Sequence, residues 1–127
     1  MVDDSPAILA LLRDLLKARG YTNITTATTS EAALKLMGET RPEVVFLDLM
    51  MPDTSGVELT RATLAINPHA HVIVTTALPP QHEAVLLAVS QGAEDYLGKP
   101  LKPDALGTVL DHLTRAASDN DSSWSYS

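Results

Sequence analysis

Hydrophobic positions along the chain follow two alternating patterns. In residues 5–20, Ile8, Leu11, Leu12, Leu15 and Leu16 recur at helical spacing. Ser5 suits the N-cap of that helix, Pro6 its first turn, and Gly20 its end. Ile24 to Ala27 reads as a short strand. The cluster Thr28 to Ser30 precedes a second helix bearing Ala33, Leu34, Leu36 and Met37. Its start is either a Thr28-x-x-Glu31 capping box or a cap at Ser30. Val44, Val45, Phe46 and Leu47 form an unbroken apolar run, as in strands buried on both faces of a parallel sheet. Asp48 to Gly56 reads as a loop, and Val57 to Ile66 as a third helix ended before Pro68. His71 to Thr75 is a strand. Pro79-Pro80 predicts the start of a fourth helix, carrying Val85, Leu86 and Val89 toward Gly92. Asp95 to Gly98 is a short strand, and Pro103 opens a fifth helix with Leu106, Val109, Leu110 and Leu113.

Strands that alternate with helices predict an α/β fold with a parallel sheet. The 127 residues suit one domain. Residues 118–127 are polar and read as a frayed tail, although Ser123 to Ser127 alternate with period 2. Composition narrows the function. With 45% apolar and 20% charged residues, the chain reads as soluble and globular. Sixteen acidic against nine basic residues, a net charge of −7, argue against a direct nucleic-acid footprint. The absence of cysteine removes disulfide scaffolds, thiolate zinc sites and a cysteine nucleophile. Val44 to Leu47, the longest uncharged apolar run, is far too short to span a membrane. No secretory signal pattern opens the chain, so the expected compartment is the cytoplasm. Expected partners are proteins or small ions.

Ligands of open parallel sheets bind beyond the carboxyl ends of the strands. Asp3 and Asp4 follow a residual first strand, Asp48 the third, Thr75 and Thr76 end the fourth, and Lys99-Pro100 the fifth. Three carboxylates, a hydroxyl and an ammonium are therefore expected at one end of the sheet. Three close carboxylates repel one another and are tolerable around a hard cation; oxygen ligands with open water positions suit Mg²⁺. A lysine beside such a site can neutralise a transferring phosphoryl group, with Asp48 as a plausible nucleophile. His69, His71, His82 and His112 show no ligand spacing and read as surface or packing residues.

Val2-Asp3-Asp4-Ser5, the stretch from Asp48 to Gly56, Thr76-Ala77 and Tyr96-Leu97-Gly98-Lys99-Pro100 together resemble the receiver domains of two-component response regulators. The resemblance covers roughly residues 1–116, giving a receiver domain over 1–117 and a tail over 118–127. It implies a flavodoxin-like, doubly wound five-stranded parallel sheet, order 2-1-3-4-5, with five helices. It further implies that Asp48 accepts a phosphoryl group from a sensor kinase phosphohistidine. Asp3, Asp4, Asp48 and the Met50 carbonyl would hold Mg²⁺, and Lys99 would pair with the phosphoryl oxygens. Thr76, which precedes the small Ala77, would be the switch hydroxyl, and Tyr96 the switch aromatic. The Lys99-Pro100 bond is expected to be cis, although only about 5–6% of such bonds are. Implied partners are a sensor histidine kinase or phosphotransfer protein and a downstream protein or output domain. Apart from its own phosphoryl transfer and hydrolysis, the domain is not expected to be an enzyme.

Three departures from the family pattern matter. Only two residues precede the acidic pair, against about half a dozen in the family. Losing several buried apolar residues, at about 1.5–3 kcal/mol each, is large against a typical stability of roughly 5–15 kcal/mol. Either the start is trimmed, or the strand is very short, or another chain fills the gap; a trimmed start is preferred, and a chain this short is expected to be weakly stable or a homodimer. Met50 and Leu78 are apolar where many relatives are polar, which predicts a long-lived phosphoryl group. Gly98 replaces a β-branched residue and is expected to loosen the last strand. Rival classes fit less well. A magnesium-dependent aspartyl phosphatase needs a second Asp at the position of Met50, and a flavodoxin-like cofactor site would be repelled by Asp3-Asp4. The alternative kept is a receiver-like module that binds partners without phosphorylation.

Overall fold

Three apolar runs form the sheet. Val44–Asp48 is β1, His71–Thr76 is β2 and Asp95–Gly98 is β3, in the parallel order β1-β2-β3. The structure, a computed structural model, describes residues 1–51 and 55–113. Register places Asp48 opposite Thr75 and Thr76 opposite Gly98, so the strand ends lie side by side. Four helices have full bounds: α1 Pro6–Ala18, α2 Ser30–Thr40, α3 Gly56–Ile66 and α4 Glu83–Ser90. A fifth, α5, is helical from 103 to 113, where the described residues end.

Alternation along the strands sends side chains to two layers. Val45, Leu47, Val72 and Val74 pack with Ala33 and Met37 of α2, Leu59 of α3, and Val85 and Ala88 of α4. Phe46, Ile73 and Leu97 pack with Leu12 and Leu16 of α1 and with Leu106, Val109, Leu110 and Leu113 of α5. Leu47, Val72, Ile73 and Val74 are wholly buried, each worth about 1.5–3 kcal/mol on transfer from water. β1 and β2 are thus covered on both faces, as their unbroken apolar sequence predicts.

Of the five strands expected, the described residues show three, together with parallel bridges from Val2 to Ala27 and to Leu47. Several finer expectations need correction. Ile24 to Ala27 is not a full strand; within it only Ala27 forms a bridge, to Val2. The cap of α2 is Thr29, not Thr28 or Ser30; its hydroxyl accepts from the Ala32 amide at 3.2 Å. Pro79-Pro80 does not open α4, which starts after His82, whose Nδ1 accepts from the Ala84 amide at 3.1 Å. α3 begins one residue earlier than expected, capped by Ser55. β2 extends through Thr76 and β1 through Asp48. Gly98 is paired within β3. Pro52, Asp53 and Thr54 of the loop, the end of the fifth helix and the alternating tail Ser123 to Ser127 lie outside the described residues.

Candidate functional site

The site grows from the carboxyl ends of β1 and β2. Asp48 ends β1 and is 4% exposed. Its Oδ1 accepts the Met50 amide at 3.1 Å, which fixes the carboxylate above the sheet. The chain then turns, with Met50 bridging antiparallel to Ser55 and the Gly56 amide reaching the Leu49 carbonyl at 2.9 Å. This turn needs a glycine. A Cβ at Gly56 would lie 2.5 Å from Leu49 Cα and 2.9 Å from its carbonyl oxygen.

Asp3 and Asp4 arrive beside Asp48 because Val2 is held in the sheet. The Val2 amide donates to the Phe46 carbonyl at 2.7 Å, and the Asp48 amide donates to the Val2 carbonyl at 2.8 Å. Asp3 is buried at 3% exposure, and its Oδ1 accepts the Ser5 amide at 2.9 Å, just ahead of α1. Asp4 is exposed at the rim. Asp3, Asp4 and Asp48 each offer a carboxylate oxygen within 4.8 Å of the others.

Lys99, one residue past β3, reaches back across the site. Its Nζ lies 2.8 Å from Asp3 Oδ2 and 3.3 Å from Asp48 Oδ2. Asp3 Oδ2 is buried, and Lys99 is the one polar partner found for it among the described residues. The Lys99 backbone amide donates to the Thr76 carbonyl at 2.8 Å, and the Lys99-Pro100 peptide is cis.

Burial pushes the Asp48 carboxyl above the ordinary carboxylate range, and the Asp3 charge adds to this; the Met50 amide and Lys99 pull it the other way. Burial works against the Lys99 charge, but the two carboxylates outweigh it and raise its pKa. A buried carboxylate oxygen paired only with Lys99, a crowded acidic trio and an all-oxygen donor set suit a hard divalent cation.

Thr76 is buried at the end of β2, with Oγ1 accepting the Leu78 amide at 3.2 Å. Thr75 is committed elsewhere; its hydroxyl donates to the Leu47 carbonyl at 3.3 Å. Tyr96 is half-buried against the α2–α4 layer, and its hydroxyl donates to the Leu78 carbonyl at 2.5 Å. Met50 is 62% exposed at the rim. The acids and Lys99 therefore meet directly, whereas Thr76 and Tyr96 meet through Leu78. Sequence patterns gave no signal for Leu78 as a connecting residue, because the connection is made by backbone atoms that any residue carries.

Comparison with known proteins places the site in context. The family model described as the response regulator receiver domain matches residues 1–111. The chemotaxis protein CheY of Thermotoga maritima is 29% identical over 115 residues, covering 91% of this chain and 95% of that protein. The crystal structure of a CheY-like receiver domain protein from Methanospirillum hungatei superposes with a TM-score of 0.83 at 26% identity, over 93% of this chain and 94% of the other. A response regulator from Burkholderia pseudomallei, crystallised with a phosphorylated aspartic acid, calcium ion and citrate, superposes with a TM-score of 0.78 at 29% identity, over 96% of this chain and 69% of the other.

Proposed function

The chain belongs to the response regulator receiver domain family, and on that premise we propose that it takes a phosphoryl group from a sensor kinase phosphohistidine onto Asp48. In that transfer the P–N bond breaks as a bond forms between phosphorus and an Asp48 carboxylate oxygen. The observation that carries this reading is the placement of Lys99 Nζ within 3.3 Å of both Asp3 and Asp48, at the rim of a three-carboxylate cluster.

Each residue has a role that follows from its position. Asp48 is the nucleophile; it is anchored through one oxygen by the Met50 amide. Asp3, Asp4, Asp48 and the Met50 carbonyl would hold Mg²⁺. When bound, that ion supplies positive charge to offset the crowded carboxylates and the incoming phosphoryl oxygens. Lys99 sits ready to exchange part of its carboxylate pairing for phosphoryl oxygens. Thr76 can turn its hydroxyl from the Leu78 amide to the phosphoryl group, which favours one arrangement of the post-β2 turn over the other. Tyr96, bound to the same turn, carries that choice to the surface formed by α4, β3 and α5, where a downstream protein or output domain reads it. Support for the phosphorylated state comes from the Burkholderia pseudomallei response regulator, which was crystallised with a phosphorylated aspartic acid. The sheet order, by the same resemblance, extends β1-β2-β3 with the Val2 and Ala27 positions on the far side of β1.

The test is intact mass after incubation with Mg²⁺ and acetyl phosphate, with Asp48→Asn in parallel. The expected result is a gain of one phosphoryl group, dependent on Mg²⁺ and absent from the variant. A folded chain that gains no mass would instead support a partner-binding module that works without phosphorylation.

A further inference from the structure

The backbone at Gly98 does not require a glycine. Gly98 is the last residue of β3 and pairs in register with Thr76. Gly20 and Gly92 have a positive φ, and Gly98 does not, so any residue could adopt its conformation. A strand also gains nothing from glycine, which packs no side chain and loses the most conformational freedom on folding. What lies over Gly98 explains its place. A Cβ there would stand 3.2 Å from the Tyr96 hydroxyl oxygen, 3.6 Å from Tyr96 Cε1 and 3.7 Å from Tyr96 Cζ, and these are its three nearest heavy atoms.

Strand geometry accounts for this contact. Residues two apart in a strand turn their side chains to the same face of the sheet. The Tyr96 ring leans along β3 over Gly98, and this brings its hydroxyl to the Leu78 carbonyl at 2.5 Å. The Leu78 amide in turn donates to Thr76 Oγ1 at 3.2 Å. The Tyr96 hydroxyl is thus confined between the Gly98 α-carbon and the Leu78 carbonyl. It cannot yield to a side chain at 98 by moving closer to Leu78, because that bond is already at the short end of the O–H···O range. Valine would add two methyls beyond the Cβ, on a stiff χ1. Those methyls need the room that the ring fills.

We propose that Gly98 is a positioning residue for the switch: its bare α-carbon admits the Tyr96 ring along β3 and so makes the link from Thr76 through Leu78 to the surface formed by α4, β3 and α5. The proposal rests on the reading of Thr76 and Tyr96 as a switch given above. Gly98 acts through Tyr96 and not on the reacting groups. A side chain at 98 turns the ring out, frees the Leu78 carbonyl and uncouples the surface from Asp48. Acceptance of the phosphoryl group by Asp48 remains, because Asp3, Asp48 and Lys99 still meet.

The test uses the full chain as wild type, Gly98→Val, Tyr96→Ala and the double variant. NMR of the Tyr96 ring reads its position, and intact mass after Mg²⁺ and acetyl phosphate reads phosphorylation. In the wild type the ring should show through-space contacts to Leu78, and its chemical shifts should move when Asp48 is phosphorylated. In Gly98→Val those contacts should be lost and the gain of mass should remain, while the ring shifts no longer respond. Any loss of Tm caused by Gly98→Val should vanish in the Tyr96→Ala background, because the ring that the valine displaces is gone. A Gly98→Val chain that folds only together with Tyr96→Ala supports the proposal in the same way. Retained contacts to Leu78 in Gly98→Val overturn it. So does a ring that leaves Leu78 yet still responds to phosphorylation, and so does a loss of Tm or of folding that persists without the ring. If the wild type gains no mass, the phosphoryl-acceptor reading fails by itself, and the contacts and Tm values still decide whether Gly98 places Tyr96.

Discussion

Leu78 is held at both ends of its backbone, and Tyr96 makes one of the two grips: the Tyr96 hydroxyl donates to the Leu78 carbonyl at 2.5 Å. The other grip is the Thr76 hydroxyl, which accepts the Leu78 amide at 3.2 Å. A movement of Thr76 toward a phosphoryl group gives up its bond to Leu78 and so disturbs the acceptor that holds Tyr96. The aromatic ring and the hydroxyl are coupled through one residue of backbone. Tyr96→Phe removes one neutral hydrogen bond at a half-buried site. The expected loss is about 1 kcal/mol of stability, read as a lower denaturant midpoint with unchanged m-value. Phosphorylation of Asp48 should persist, while the chemical shifts of Leu78 should move toward their phosphorylated positions before any phosphate is added. Unmoved Leu78 shifts would show that the hydroxyl does not hold the turn.

Asp48→Asn should stabilise the metal-free protein at neutral pH. Burial first, and then Asp3, raise the carboxyl above its ordinary range. A carboxyl raised in the folded state binds its proton more tightly there than in the unfolded chain. Its contribution to stability therefore falls as pH rises through the folded value and is regained on acidification toward the ordinary carboxylate range. The advantage of the variant should accordingly shrink on acidification. Mg²⁺ should reverse the ranking, since an ion present at a hundred times its Kd adds about 2.7 kcal/mol to the form that binds it. Thermal melts in EDTA and in Mg²⁺ at two pH values check this; a variant less stable in EDTA at pH 7 would contradict it.

Lys99→Met should cost roughly 3 kcal/mol in metal-free buffer, because two buried carboxylates lose their cation. The pKa of Lys99 is raised above the ordinary lysine value, despite the opposing effect of burial. Its stabilisation is thus complete below that ordinary value and is lost as pH climbs through the raised one. Wild type and variant should converge in strongly alkaline buffer and differ across the neutral range. Urea midpoints from pH 7 upward measure the difference directly. A constant gap at all pH values would mean that Lys99 acts through packing alone.

Met50→Asn should shorten the life of the phosphoryl group. Met50 projects an apolar, 62% exposed side chain at the rim. A side-chain amide there offers a hydrogen bond to an attacking water, so dephosphorylation is expected to speed up several-fold; general positioning effects of this sort reach about 10²-fold. Following the loss of phosphoryl mass over time for the two proteins decides it, and a slower variant would rule the explanation out.

How much of this was legible in the sequence differs from element to element. Val44 to Leu47 announced a doubly buried strand because burial on both faces leaves no polar positions. Ser5-Pro6 fixed the start of α1, since the cap and the proline act within one turn. The identity of the α2 cap was not legible. Thr28, Thr29 and Ser30 all carry a hydroxyl, and only the entry direction of the chain decides that Thr29 reaches the Ala32 amide. His82 was equally hidden as a cap, because an imidazole caps a helix only where its ring happens to face the first turn. Ile24 to Ala27 has strand composition yet forms a bridge only at Ala27, because composition is local whereas pairing depends on the segment that lies alongside.

The same division holds for the site. By itself the sequence determined which residues stand at the strand ends: Asp3, Asp4, Asp48, Thr76 and Lys99. Strand periodicity and turn signals are local, and local spacing fixes order along the chain. Only the tertiary structure decided that Lys99 spans Asp3 and Asp48, that Asp3 is buried beside them, and that Leu78 joins Thr76 to Tyr96. Those relationships are set by distances between segments far apart in sequence, and they come into being only when the two packed layers bring the strand ends together.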